Sequence, residues 1–252
     1  MKRVRNAGLS FLAAAGLALL VVFEAVGCGG GVGVDYVHSG NNPVIAYRRT
    51  QALAPQYSFT GPDLIIYGDG TAYRREGQMR YWRGSLPEEE LTRLLTSIVD
   101  GGFFDLKEAG KVGPMGGPVD HLTVTLKSQS KQVSEGTAAE SGAFKKIVDE
   151  LKGLKVPGEQ EYIPEDIVLH ARLMEGGATS GGRVQEWTLD PAWLEKASAA
   201  GSPGEHLSGT QAQEVWKVLA GENRADGEVF WNAGGKVYGQ VIADPQFPMP
   251  GV

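Results

Sequence analysis

The sequence is poor in the residues that build metal and redox sites, with one cysteine and four histidines in 252 residues. A single cysteine excludes an internal disulfide framework and any cluster of thiolates for zinc or iron–sulfur chemistry. No catalytic or metal-binding signature stands out in its expected structural context, so the sequence predicts no metal and no cofactor. The net charge of −6 also argues against a general nucleic-acid-binding protein.

The overall composition is that of a folded domain. Hydrophobic residues make up 42% of the chain and charged residues 21%, which excludes a disordered or collagen-like protein. The chain is long enough to bury a sizeable core as one large domain or two small ones.

The N-terminus has the pattern of an export signal. Lys2, Arg3 and Arg5 form a basic region, and an uncharged apolar stretch follows over residues 7–23. An uncleaved signal anchor is the competing interpretation, because the apolar stretch approaches the length of a bilayer span. The stretch ends in small residues placed directly before the lone cysteine, as Ala25-Val26-Gly27-Cys28.

This segment resembles the lipobox of bacterial lipoproteins. The resemblance implies that residues 1–27 are a signal peptide and that Cys28 is acylated and becomes the first residue of the mature chain. The alternative is an ordinary signal or anchor in which the cysteine is incidental. Lipidation would place the protein on the extracytoplasmic face of the cell membrane, or at the outer membrane or its periplasmic side in a host with two membranes.

Residues 28–43 have the composition of a glycine-rich tether, with no apolar periodicity. We therefore expect the folded part to start near Val44. Removal of residues 1–27 takes away three basic residues and one acidic residue, which changes the net charge from −6 to −8.

The remaining chain predicts an α+β fold of antiparallel hairpins and amphipathic helices. Two β-rich runs, residues 64–67 and 71–74, flank Asp69-Gly70, which is a strong hairpin signal. Ser85 begins a capping box for a helix that ends at Gly101-Gly102. The apolar face of that helix has helical spacing and consists of Leu91, Leu94, Leu95 and Ile98.

Residues 120–126 alternate between polar and apolar side chains, as a half-buried strand does. The alternation directs Asp120 and His121 to opposite faces, so the two cannot form a dyad within the strand. Ser128 to Lys131 has the S-x-x-K spacing of penicillin-binding enzymes, but a hairpin turn is expected there and not the start of a buried helix, so we assign it no catalytic role. Ser141 then caps a helix with an apolar stripe that consists of Phe144, Ile147, Val148, Leu151 and Leu154.

A polar segment at residues 157–161 is the best boundary between two halves, which we predict as lobes 44–156 and 162–252. The second half contains predicted strands at 167–173, 183–189, 228–231 and 236–243, and helices begin after Asp190 and Ser208. A capped helix followed by a hairpin occurs in both halves, which suggests a degenerate duplication. We expect the proline-rich end, residues 244–250, to wrap the surface.

One cluster combines arginines and aromatic residues between residues 47 and 83, where basic side chains outnumber acidic ones in an otherwise acidic chain. If these runs form neighbouring strands, alternation predicts a face suited to phosphate, carboxylate or sugar ligands. The competing interpretation is a solvated face on which arginines pair with acids. The candidate binding face consists of Arg48, Arg49, Tyr73, Arg74, Arg75, Arg80, Tyr81, Trp82 and Arg83.

The folded region resembles uncharacterised bacterial lipoproteins, a resemblance that implies no particular activity. The leading hypothesis is a lipid-anchored protein with a non-catalytic binding or interaction role and an anionic envelope component as its partner. The alternative is a cell-envelope hydrolase with a carboxylate-based site, which a deep pocket holding two facing acids would favour.

The lipobox predicts the result of a single substitution. Cys28→Ser removes the thiol that would carry the lipid, so the variant should take up no labelled fatty acid in the native host. Undiminished label on the serine variant would exclude the lipoprotein assignment.

Overall fold

The computed structural model describes residues 34–51, 61–77, 79–107, 117–136, 142–175, 182–221 and 229–248. Within these ranges the chain forms two sheets and four α-helices, which confirms the predicted α+β class. The predicted lipidation site, Cys28, and the predicted helix cap, Ser141, both lie outside the described residues.

The first sheet has seven strands, and every neighbouring pair is antiparallel. Its spatial order is β6-β5-β1-β2-β3-β4-β7. The strands are β1 (Pro43–Gln51), β2 (Leu64–Tyr67), β3 (Thr71–Glu76), β4 (Arg80–Ser85), β5 (Pro118–Thr125), β6 (Ser130–Gly136) and β7 (Gln160–Tyr162).

The hairpin predicted at Asp69-Gly70 joins β2 to β3. The Gly70 amide donates to the Tyr67 carbonyl at 2.9 Å, and the Asp69 carboxylate accepts from the Thr71 amide at 2.9 Å. Gly70 has a φ of +86°, and a Cβ there would lie 2.2 Å from the Leu86 carbonyl oxygen. Both the positive φ and the close approach require glycine at this turn.

Two helices, α1 (Glu88–Asp100) and α2 (Gly142–Lys152), pack on one side of the first sheet. The predicted stripe of α1 is buried, and α2 buries Phe144, Ile147, Val148 and Leu151 in the same core. We call this side of the sheet the helix face; its sheet residues include Ile45, Tyr47, Leu64 and Ile66.

The capping box predicted at Ser85 is wrong. Ser85 is the last residue of β4 and its amide donates to the Pro157 carbonyl, so it is held in the sheet. Pro87 occupies the N-cap of α1 and no side chain caps the helix. The first turn instead carries three glutamates, Glu88 to Glu90, whose charge is favourable at a helix N-terminus. The helix ends at Gly101, as predicted.

The second sheet has five strands in the order β10-β8-β12-β11-β9. It is antiparallel except that β9 runs parallel to β11. The Asp190 side chain caps the helix that follows it, as predicted. The elements of this half are β8 (Asp166–Leu173), β9 (Arg183–Glu186), α3 (Pro191–Ala197), β10 (Glu205–Ser208), α4 (Gly209–Gly221), β11 (Val229–Ala233) and β12 (Lys236–Pro245).

The two halves of the chain share a hydrophobic core. Side chains of β2, β3 and β4 that point away from the helix face join residues of the second sheet and of α4 in one buried cluster. Tyr81 and Trp216 lie 6.0 Å apart between ring centroids, and β7, at the predicted boundary, pairs with β4. The predicted lobes are therefore in direct contact.

Residues 244–248 contribute to this core, contrary to the prediction that residues 244–250 wrap the surface; residues 249 and 250 lie outside the described residues. Asp244 and Pro245 complete β12, which lies between β8 and β11 in the sheet. Phe247 is buried against Tyr73 at 5.0 Å and Tyr81 at 5.1 Å between ring centroids. Pro245, which has no N–H to donate to a neighbouring strand, is the last residue of β12.

The folded part starts by residue 34, ten positions before the predicted start at Val44. Tyr36 is 1% exposed and its hydroxyl is hydrogen-bonded to the Thr92 hydroxyl of α1 at 3.2 Å. The Lys127 amide donates to the Asp35 carbonyl at 2.9 Å. The polar composition concealed one buried aromatic residue, Tyr36, which attaches the described part of the predicted tether, residues 34–43, to the domain.

This packing predicts different costs for two neighbouring substitutions. Tyr36→Ala should lower the free energy of unfolding by about 3 kcal/mol, because it removes a fully buried aromatic side chain. Val37→Ala is the matched control, since Val37 is 40% exposed and should change stability little. Chemical denaturation of both variants measures this, and equal effects would contradict the packing of the segment.

Candidate ligand-binding cleft

The structure does not bring the nine residues of the predicted binding face onto one surface. Adjacent strand residues point to opposite sides, so Arg48 and Arg49 are separated by the sheet, as are Arg74 and Arg75. Tyr73 and Tyr81 are buried, which leaves little aromatic surface exposed in this region.

Most of these arginines lie beside acids or aromatic rings. Arg74 makes a two-pronged contact with the Glu159 carboxylate at 2.8 and 2.7 Å, and Arg75 pairs with Asp63. Arg83 lies 5.8 Å from the ring centroid of Tyr73, and the Trp82 indole N–H donates to Glu76 at 2.7 Å. Arg80 is exposed on β4.

Arg49 belongs to a buried polar cluster on the helix face. Asp120 is 0% exposed and accepts from the Tyr47 hydroxyl at 2.6 Å and from the Lys152 ammonium at 3.1 Å. Arg49 Nε lies 3.8 Å from the same carboxylate. Burial, reinforced by the bond to Asp120, raises the pKa of Tyr47. These contacts join β1, β5 and α2, which is a structural role.

The prediction for the Asp120-His121 pair is confirmed, because His121 lies on the opposite side of β5. Its neighbours there are Arg48 on β1 and Ser134 on β6. We call this side of the first sheet the cleft face; it includes Ala46, Arg48, Ile65, His121, Thr123 and Gln132.

A cleft of about 550 Å³ lies between the cleft face and the second sheet. The first sheet contributes the six cleft-face residues named above. The second sheet and the segment after β12 contribute Val168, His170, Asp244, Gln246 and Phe247. The cleft therefore combines charged and hydrogen-bonding side chains with apolar walls, and the chain supplies them from segments far apart in sequence.

His121 is fixed on both sides by hydroxyl groups. Its Nδ1 is 2.8 Å from the Ser134 hydroxyl, and its Nε2 is 2.9 Å from the Thr50 hydroxyl. Burial and then the charge of Arg48 lower its pKa, so the neutral ring is favoured. Because both nitrogens already have partners, His121 orders the cleft wall and is poorly placed to transfer a proton.

The opposite wall holds a histidine beside a buried carboxylate. His170 Nε2 lies 3.6 Å from Asp244 Oδ2, and Asp244 is 7% exposed. Gly204 packs against this histidine with a φ of +106°, and a Cβ there would be 2.8 Å from the ring. Glycine at this position lets the backbone approach His170 closely.

The sequence pattern predicts the face of His121 correctly but indicates no role in a site for His121 or for His170. The alternating patterns around both residues place each on the less buried side of its strand. The sequence does not indicate Asp244 as a site residue, because Asp244 precedes a proline in a segment predicted to lie on the surface. Of the predicted binding residues, Arg48 alone lines the cleft.

The chain matches no protein family model, no curated protein and no solved structure. Among the described residues, no three histidine, cysteine or acidic side chains are grouped to hold a metal ion. In the same part of the chain, no helix has the length and apolar character needed to cross a bilayer.

The surroundings of His121 predict a pH dependence of stability. The folded chain binds a proton on His121 less readily than the unfolded chain, whose histidine has a pKa of about 6.5. Stability should therefore fall as the pH drops below about 6.5, because the unfolded state then takes up more protons. His121→Gln should show a shallower fall in denaturation experiments across this range.

The control for this measurement is His206→Gln, which replaces an exposed histidine of β10. It should keep the pH dependence of the wild type. Equal slopes for the wild type and His121→Gln would show that the burial of His121 does not control its protonation.

Proposed function

We propose that this chain is a membrane-anchored extracytoplasmic lipoprotein with a non-catalytic binding role, and that the cleft between its two sheets holds the ligand. The cleft carries the proposal. Its volume falls within the range of small-molecule sites, roughly 300 to 1,000 Å³. Polar groups from both sheets converge in it, as they do in sites that orient a ligand.

The chemistry of the lining residues supports binding over catalysis. His121 is held by two hydroxyls, and Asp244 is the single carboxylate among the described residues that line the cleft. The facing pair of acids that would favour a hydrolase is thus not among them. Arg48, Thr123 and Gln132 add hydrogen-bonding groups to the lining of the cleft. The described contacts of these residues do not pair a nucleophile with an activating base.

A second candidate function is hydrolysis, and the pair formed by His170 and Asp244 favours it. A carboxylate beside a histidine can orient the ring to activate a water molecule. In that case the cleft would bind a substrate, and His170→Gln would abolish turnover while binding persisted.

Reduction of the cleft volume tests the binding function. Ala46→Leu places three additional carbon atoms in the cleft, so compounds that raise the melting temperature of the wild type should stabilise this variant much less. The measurement is thermal unfolding of the full chain with a panel of amino acids, dipeptides, sugars and carboxylic acids.

The matched control is Ala192→Leu, which makes the same change on α3 and away from the cleft lining. It should respond to the compounds as the wild type does. A panel that stabilises wild type and Ala46→Leu equally would place binding elsewhere, and a panel without effect would contradict a small-molecule ligand of these classes.

A further inference from the structure

We infer that the ligand of the cleft is an uncharged, hydroxyl-bearing small molecule, a simple sugar, held by the side chains of Thr123 and Gln132. This inference rests on the proposed binding function and specifies its ligand class. It follows from three features of the lining: the charged side chains have partners within the chain, two uncharged polar side chains remain available, and apolar surface lies beside them.

The charged side chains of the lining are engaged within the protein. Arg48 and Asp244 both interact with other groups of the chain, and His170 Nε2 lies 3.6 Å from the Asp244 carboxylate. His121 favours the neutral form and is hydrogen-bonded at both ring nitrogens. A charged ligand would lose hydration in the cleft and would have to compete with these contacts for a counter-charge. The lining therefore favours a ligand that carries no charged group.

Two uncharged polar side chains of the lining are available to a ligand. Thr123 and Gln132 line the cleft, and neither side chain is hydrogen-bonded to another residue that the structure describes. The two residues lie directly opposite each other on β5 and β6, so their Cβ atoms are about 5 Å apart. A hydroxyl and a primary amide can each donate and accept. The hydroxyl groups of a sugar do the same, so each contact can form in either direction.

Apolar side chains continue this row toward the other end of the cleft. Ala46 lies opposite Thr123 on one side and opposite Ile65 on the other, and all three residues line the cleft. The opposite wall adds the ring of Phe247. A sugar has hydroxyls on its rim and C–H groups on its faces, which suits a lining in which polar and apolar surfaces adjoin. A wholly apolar ligand would cover the Thr123 hydroxyl without giving it a partner.

The test uses sugars that differ by one charge. D-glucose, D-galactose and N-acetylglucosamine are the neutral probes. Glucosamine and galactosamine carry an ammonium group, and glucuronate and galacturonate carry a carboxylate. Calorimetric titration of the full chain should show binding of a neutral probe, and its charged counterparts should bind at least about tenfold more weakly. Raising the salt concentration should change the affinity of the neutral probe little, because salt screens interactions between charges.

Substitutions in the protein test the two polar side chains. Thr123→Val replaces the hydroxyl with a methyl group of similar size, and Gln132→Met removes the amide from a side chain of similar length. Each variant should bind the neutral probe roughly three- to tenfold more weakly, because each loses a hydrogen-bonding group. Thr123→Ser keeps the hydroxyl and should bind nearly as tightly as the wild type.

The matched controls make the same changes outside the cleft lining. Thr125→Val alters the next residue on the same side of β5, and Gln160→Met alters an exposed residue of β7. Both should bind as the wild type does. Thermal unfolding checks that the variants fold. If Thr123→Val does not fold, Gln132→Met decides the test, because Gln132 is exposed and its side chain is not part of the core.

Three results would overturn the inference: no binding of any neutral probe, equal binding of a neutral probe and its charged counterparts, or unchanged binding by the folded variants of Thr123 and Gln132. If no sugar binds while amino acids or carboxylic acids stabilise the wild type and not Ala46→Leu, the binding function stands and the sugar is excluded. If no panel compound stabilises the wild type, both the sugar and the small-molecule binding function are excluded.

Discussion

The first strand, β1, contributes side chains to both the helix face and the cleft face, and the rest of the structure depends on how its residues alternate between them. It is an interior strand of the seven-stranded sheet, with β5 on one side and β2 on the other. Ile45 and Tyr47 enter the core under the helices, while Ala46 and Arg48 face the cleft. A shift of one residue in register would exchange these two sets and bury Arg48 among apolar side chains.

A polar cluster on the helix face holds this register. Asp120 lies opposite Arg49 on the neighbouring strand and accepts hydrogen bonds from the Tyr47 hydroxyl and the Lys152 ammonium. A fully buried carboxylate tolerates few alternatives, because losing its donors would leave an uncompensated charge in the core. The hydrogen bonds of Asp120 therefore favour the alignment of β1 and β5 that also brings Arg48 beside His121 on the other side of the sheet.

The parts of the fold that the sequence predicts well are those determined by neighbouring residues. The hairpin at Asp69-Gly70, the apolar stripe of α1 and the part of the α2 stripe from Phe144 to Leu151 each depend on a short segment, and all three form as expected. Leu154, the last residue of the predicted α2 stripe, lies beyond the end of the helix at Lys152. The capping box failed because Ser85 is held by Pro157, a contact between distant segments.

The cleft could not be predicted for the same physical reason. Its walls come from β1, β5, β8 and β12, and no local pattern indicates which strands become neighbours. The arginine cluster shows the opposite error, since residues close in sequence are separated by the sheet and lie beside acids such as Glu159 and Asp63. The burial of Tyr36 and Phe247 likewise depends on partners that are distant along the chain.

The central position of β12 determines when the domain can be completed during synthesis. Because β8 hydrogen-bonds to β12, which comes some seventy residues later in the chain, this strand pair cannot form until β12 has been synthesised. Phe247 then closes the shared core between the two sheets. Because the chain is synthesised from its N-terminus, the hairpins of the first sheet can form early. The cleft-face side of that sheet stays uncovered until β12, the last strand, has been synthesised. Until β12 is made, Ile65, Tyr73 and Tyr81 lack their packing partners from the second sheet, and apolar surface left uncovered in this way favours aggregation.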